Sequence, residues 1–170
     1  MLDLLRKRRS VRKYRDEEIK PEVVELLKEA ALRSPTSRNF RPWRFVFVED
    51  RGKLAALSRA KPSGSSFLAG ARLGVVVCAD DGESDVWIED CSIASIILQL
   101  AGLSLGLGSC WIQIRLRMHD DSATSEEHVR SVLGLSEKLR VESMIAFGYP
   151  DEELEPVLAE ELHREKILRG

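Results

Sequence analysis

Three arginines and a serine, spaced as Arg8-Arg9-Ser10-Val11-Arg12-Lys13-Tyr14, are the residues of this chain best suited to hold an anion. In extended backbone the side chains alternate faces, so Arg8, Ser10 and Arg12 point one way and Arg9 and Lys13 the other. Two guanidinium groups flanking a hydroxyl suit a phosphate dianion, because arginine offers paired N–H donors with a fixed charge and serine adds a short donor. On a helix Ser10 would turn away from Arg8 and Arg12, so the chain must leave its first helix near Arg9. Taken alone, the run reads equally as a solvated basic patch, or as a nucleic-acid or localisation segment. One helix length later comes Pro35-Thr36-Ser37-Arg38-Asn39-Phe40-Arg41-Pro42-Trp43, a rigid polar loop ending in a large aromatic residue.

Other chemistry is poorly supplied. Gly102 to Gly108 reads G-x-x-x-G-x-G, follows a helix and precedes a strand, the wrong order for a dinucleotide-binding turn. There is no phosphate-binding Walker sequence and no serine in a G-x-S-x-G setting. His119, His128 and His163 lack metal-ligand spacing and read as solvent-facing or capping residues. Cys78, Cys91 and Cys110 are widely spaced, form no C-x-x-C pair and sit among apolar residues, as buried reduced thiols of a cytoplasmic protein would. Core packing is the simplest role for Trp43 and Trp111. No acid, base or nucleophile stands out, so an enzyme built on this chain needs a cofactor to carry the chemistry.

The elements that must position these residues follow from pattern. Leu2, Leu4 and Leu5 open a short helix that ends before Ser10. Pro21 opens a second helix at its first turn, where a missing N–H costs nothing, and Pro35 ends it. Residues 44–48, 73–79, 110–116 and 139–149 read as strands, the second apolar throughout and so buried on both faces. Residues 53–60 read as a short helix, and Pro62 to Ser66 as a flexible loop. The longest helix, 86–105, is apolar nearly all round, which predicts burial in the core or in a subunit interface. Thr124-Ser125-Glu126-Glu127 is a capping box opening a helix to about Leu133. The charged tail is expected to be partly helical and to extend off the domain. These readings predict one α+β domain over residues 1–170, an α/β layered arrangement with four main strands and a buried central helix.

Bulk properties narrow the function classes. The length allows a sizeable core, and 44% hydrophobic with 32% charged residues is the balance of a globular protein. A net charge of −2 predicts no general affinity for nucleic acid or anionic membrane. Basic residues gather at the N-terminus and acidic ones at 151–161, which favours a local anion site. No apolar run is long enough to span a membrane, and the N-terminal residues lack the order of a secretory signal.

Four motifs occur in one order: Arg-x-Ser-x-Arg-x-Tyr, then Pro-Thr-Ser-x-Asn with Pro-Trp, then Gly-Leu-Gly-Ser-Cys-Trp-Ile after the long helix, and Phe-Gly-Tyr-Pro near the end. The ordered set resembles the nitroreductase family of FMN-dependent homodimers, over most of the chain. The resemblance implies a nitroreductase-like fold with a mainly antiparallel sheet of four to five strands. It implies an oxidoreductase that takes hydride from NAD(P)H through FMN to a nitro, quinone or related small-molecule acceptor. Arg8 and Ser10, with neighbouring Arg9, would meet the FMN phosphate, and Arg12 the ribityl chain or the flavin N1–O2 edge. Pro35, Thr36, Ser37 and Asn39 would approach the isoalloxazine from the other subunit. Gln113 and Ile114 stand where the family supplies a backbone N–H to flavin N5. The segment 155–170 would reach onto the partner subunit, with Arg164 or Lys166 completing the phosphate site. Arg41 stands where a glutamine is usual before Pro-Trp, Ala71-Arg72 replaces Ala-Pro, and only Asp80 to Asp85 separates the second strand from the long helix. A non-catalytic flavin-binding or flavin-carrying protein, and an interaction domain without flavin, are the alternatives.

Overall fold

The structure, a computed structural model, describes residues 1–170. Four strands form one antiparallel sheet in the order β1-β2-β4-β3, with β1 at Trp43–Val48, β2 at Leu73–Asp80, β3 at Gly108–Gln113 and β4 at Leu139–Gly148. Five α-helices accompany it: α1 (Leu2–Lys7), α2 (Pro21–Leu32), α3 (Arg51–Leu57), α4 (Trp87–Ser104) and α5 (Ser125–Leu133). β2 lies between β1 and β4, and its residues from Leu73 to Ala79 are all buried, as an unbroken apolar run predicts. One sheet face packs Val75, Val77, Ile145 and Phe147 against α2 and α4. The other packs Val76, Cys78, Met144 and Ala146 against residues of α3 and α5. A bulge lies between Val77 and Cys78, opposite Glu142 on β4.

The local signals mostly hold. Lys20 precedes Pro21 at the start of α2. Thr124 and Glu127 form the reciprocal cap of α5, and Gly134 closes that helix in the left-handed region. The third helix starts earlier than apolar spacing alone suggests, because Asp50 caps it by accepting the Lys53 N–H at 2.7 Å, and it ends at Leu57 rather than Ala60. β3 stops at Gln113 instead of Leu116, whose φ of +58° puts it in a turn.

One expectation needs correction. The tail beyond Asp151 holds no α-helix, only two single 3-10 turns, and every residue from Glu153 on is exposed. Its apolar residues have no common spacing that would give a helix one buried face, although Leu154 and Val157 at its start border Arg8 and Arg9. The long helix turns Cys91, Ala94 and Leu98 to the core, while Ile93 and Ile96 are 41% and 38% exposed, so one chain buries only part of its apolar circumference.

The N-terminal segment is fastened to the β3 edge by close contact. Arg8 caps α1 in extended backbone, so the chain leaves the helix where the anion motif requires. Ser10 bridges Ser109, the Val11 N–H donates to the Ser109 carbonyl at 3.0 Å, and the Arg15 N–H donates to the Tyr149 carbonyl at 2.9 Å. A Cβ on Gly108 would sit 2.8 Å from Val11 Cβ, and one on Gly148 would sit 2.9 Å from Tyr14 Cβ. Those two glycines let the segment lie directly on the sheet. Buried Arg72 clamps the next stretch by pairing with Asp16 and with Glu18, the latter at 2.7 Å.

Candidate flavin site

Arg8, Arg9, Ser10 and Arg12 line one cleft of about 400 Å³, together with Glu152, Leu154 and Val157. None of the three guanidinium groups is in an ion pair. Arg12 donates only to the Ser10 carbonyl at 3.2 Å and lies 5.7 Å over the Phe67 ring, so it leans to the opposite side of the β3 edge from α4. Strict alternation is relaxed: the segment makes isolated bridges rather than a regular strand, and Arg9 joins Arg8, Ser10 and Arg12 in lining the cleft. Glu152 holds the backbone here, accepting the Arg12 N–H at 2.6 Å and the Lys13 N–H at 3.1 Å. Those two N–H groups hold its carboxyl below the usual range.

Arg8 and Ser10 also border a second hollow of about 420 Å³, walled by Ser92, Ser95, Ile96 and Gln99 of α4 and by Trp111 of β3. Trp111 is 38% exposed and belongs to this wall, not to the core; Trp43 and Trp87 are buried. The polar wall was legible as a stripe: Ser92, Ser95 and Gln99 recur at steps of three and four in a helix otherwise rich in apolar residues.

β3 is an edge strand, and that decides between Gln113 and Ile114. The Ile114 N–H donates to the Glu142 carbonyl at 3.1 Å, and its side chain is fully buried. The expectation of a free Ile114 N–H therefore fails, because cross-strand pairing already uses it. Alternation along the strand turns the Gln113 N–H away from β4, toward the open edge.

The Pro35–Asn39 loop lies elsewhere in the same chain. The Ser37 N–H donates to Asp90 Oδ1 at 2.9 Å, and Arg38 pairs with Asp85, both at the start of α4. Thr36 Oγ1 accepts the Arg41 N–H at 3.0 Å, and Asn39 Oδ1 accepts Arg41 Nε at 2.9 Å. These bonds hold Arg38, Asn39 and Arg41 at positive φ, so the odd Arg41 of the motif buttresses the loop. Asp90 and Gln99 are nine residues apart, about 13 Å along the helix. The loop is tied to the start of α4, and none of its residues lines the basic cleft of its own chain. Arg164 and Lys166 are exposed in the tail and do not line the basic cleft of their own chain.

The histidines form no metal site. His119 and His128 stack at 4.0 Å instead of facing solvent, and His128 Nε2 is 3.1 Å from the Ala56 carbonyl. All three cysteines are free and buried, with burial pushing the Cys78 thiol up to about 12.

An antiparallel four-stranded sheet, a long central helix and an unneutralised arginine cluster beside a free strand edge define the class of protein this is. The Nitroreductase family pattern matches residues 5–67 and 54–149, and the chain belongs to that family. It is 42% identical to an FMN-dependent nitroreductase of Clostridium difficile R20291, whose structure superposes with a TM-score of 0.98 over 99% of this chain and 98% of that one. It is 35% identical, over 97% of both chains, to an Archaeoglobus fulgidus protein named "Putative NADH dehydrogenase/NAD(P)H nitroreductase". A Bacteroides thetaiotaomicron structure described in the same words is 33% identical, with a TM-score of 0.89 over 99% of this chain and 95% of its own.

Proposed function

We propose that this chain is an FMN-dependent oxidoreductase that passes electrons from NAD(P)H to a nitro, quinone or related small acceptor. The observation that carries the reading is the gathering of Arg8, Arg9 and Arg12 around one cleft without a single ion pair. Three guanidinium groups face a single carboxylate there, Glu152, which is held by the Arg12 and Lys13 backbone N–H groups; the excess of positive charge favours an anionic ligand, and a phosphate monoester matches the donor set. Arg8, Arg9 and Ser10 would hold the phosphate. Arg12, steadied by Phe67, would reach the ribityl chain or the flavin N1–O2 edge, and the outward Gln113 N–H would meet N5. When bound, FMN supplies the redox chemistry, and the protein supplies position and charge.

The separation of the Pro35–Asn39 loop from the cleft supports a homodimer with the flavin at the subunit interface. In a two-fold pair the loop of one copy can serve the cleft of the other. Exposed Ile93 and Ile96 on α4 favour the same arrangement, as does the tail from residue 155, with Leu158, Leu162, Ile167 and Leu168 all exposed. Arg164 or Lys166 would then complete the partner's phosphate site. A cytoplasmic location fits the three free thiols; no helix is long and apolar enough to cross a membrane. The test is anaerobic addition of NADH or NADPH to the yellow protein. Bleaching of the flavin absorbance followed by recovery on adding a quinone is expected. Yellow protein that neither donor bleaches would instead mark a flavin carrier, and protein that takes up no FMN would refute the reading.

A further inference from the structure

Glu142 is a buried acid with no role in the site as described. It stands at the bulge in β4, is 4% exposed, and its Oε2 has no hydrogen-bond partner. Its Oε1 lies 3.4 Å from Ser92 Oγ. A serine hydroxyl has one proton to give, and Ser92 gives it to the Ile88 carbonyl at 2.8 Å. The Glu142–Ser92 contact is therefore satisfied when Glu142 carries the proton and donates it to Ser92 Oγ. An ionised Glu142 would leave a charged oxygen bare in the interior. Facing it are Ser92 and the Cys91 thiol of α4, Trp111 of β3, Arg115 just beyond that strand, and Ser143 beside it. Burial pushes its carboxyl up, against the opposing pull of the Ser143 and Ser92 hydroxyls, the Arg115 charge and Trp111.

Ser92 is exposed, and it lines the hollow shared by Arg8, Ser10 and Trp111. Glu142 thus sits one hydroxyl behind the wall, on the strand that pairs with Gln113. We propose that Glu142, held as the neutral acid, donates a proton through Ser92 to the electron acceptor bound in that hollow. The proposal rests on the function proposed above. Reduction of a quinone to its hydroquinone takes a hydride, which is two electrons and one proton, and a second proton. The hydride comes from the reduced flavin. The second proton comes from Glu142: the Ser92 hydroxyl turns its proton from the Ile88 carbonyl to the acceptor oxygen and releases it there, while the Glu142 O–H bond breaks, its electron pair staying on the carboxylate and its proton passing to Ser92 Oγ. The new O–H bond forms on the acceptor oxygen, and solvent later returns a proton to Glu142 by the reverse route.

The test uses the FMN-loaded protein, wild type and three variants, Glu142→Gln, Glu142→Asp and Ser92→Ala. Glutamine keeps the shape of the neutral acid without its proton. The wild-type-minus-Glu142→Gln infrared difference at neutral pH should show the carbonyl stretch of a protonated carboxylic acid; carboxylate bands in its place would overturn the proposal. In stopped flow, reoxidation of the reduced protein by a quinone should slow about 10²-fold in Glu142→Gln, the low end of what a positioned acid contributes. Ser92→Ala leaves Glu142 in place and should slow the same step, while Glu142→Asp should recover part of the rate. Wild-type reoxidation rates in Glu142→Gln or in Ser92→Ala would overturn the relay. Bleaching by NADH or NADPH is read separately, so failure of wild type to bleach counts against the function and not against Glu142 alone.

Discussion

Adding one methyl group at Gly108 should damage the cleft of Arg8, Arg9, Ser10 and Arg12, whose lining does not include Gly108. Gly108→Ala places a Cβ 2.8 Å from Val11 Cβ, 2.8 Å from Val11 Cγ1 and 2.9 Å from Val11 Cγ2. Carbon atoms settle at about 3.5–4.0 Å, so the Val11 backbone must retreat by roughly 0.7–1 Å. The retreat pulls on the 3.0 Å bond from the Val11 N–H to the Ser109 carbonyl, the tie that lays the arginine motif along β3. Overpacking of this kind costs about 1–3 kcal/mol. The cost has two outlets. Either the segment stays and the fold loses that stability, or the segment lifts and FMN binding must press it back, weakening affinity about tenfold per 1.4 kcal/mol. Urea unfolding of the apoprotein and FMN titration, read together, capture both outlets. Val11→Gly removes all three contacts, so the double variant should cost less than the sum of the singles. Unchanged stability together with unchanged FMN affinity in Gly108→Ala would refute the close-approach argument.

Other expectations follow from the same geometry. Deleting the residues after Glu161 should weaken dimerisation and FMN binding together, measured by sedimentation and by flavin fluorescence; loss of neither would strike Arg164 and Lys166 from the site. Ile96→Glu puts a charge on the exposed face of α4 and should shift the dimer toward monomer in sedimentation, with flavin released in step; a dimer of unchanged strength would move the interface elsewhere. Glu142 and Glu152 should affect stability with opposite pH dependence, read as melting temperature against the matching Gln variant. The Glu142 carboxyl is raised in the fold, so its contribution is present below the unfolded value of about 4.3 and is lost as pH climbs through the folded one. The Glu152 carboxyl is lowered, so its contribution is present above about 4.3 and fades as pH falls through the folded value. The same sign for both would show that their surroundings have been misread.

What could be read from the chain beforehand was local or strongly patterned. The apolar run of β2, the Pro21 start of α2 and the Thr124 cap each depend on a few adjacent residues. The arginine motif was legible for the same reason, although the lean of Arg12 toward Phe67 depends on a contact 55 positions away. Ile114 was misjudged because strand pairing, which uses its N–H, depends on register with Glu142 and leaves no local mark. Glu142 carries no local signal of its own, because it is the bulge opposite Val77 and Cys78 that brings it under Ser92. The long helix reads as apolar nearly all round, but composition does not say which neighbour covers a face, and Ile93 and Ile96 show that one chain covers only part of it. The tail lacks regular spacing, and beyond Leu154 and Val157 its residues line no cleft of their own chain's basic segment.

The central claim is that Arg8, Arg9 and Ser10 hold the phosphate of FMN and Arg12 its ribityl chain or flavin N1–O2 edge, and its most direct measurement is a titration of apoprotein with FMN, followed by quenching of flavin fluorescence. Arg8→Ala removes one charge-assisted contact of about 1.5–3 kcal/mol and should raise Kd roughly ten- to hundredfold, with riboflavin, which lacks the phosphate, binding wild type and variant alike. An FMN affinity unchanged in both Arg8→Ala and Arg12→Ala, or riboflavin binding as tightly as FMN to the wild type, would contradict the assignment.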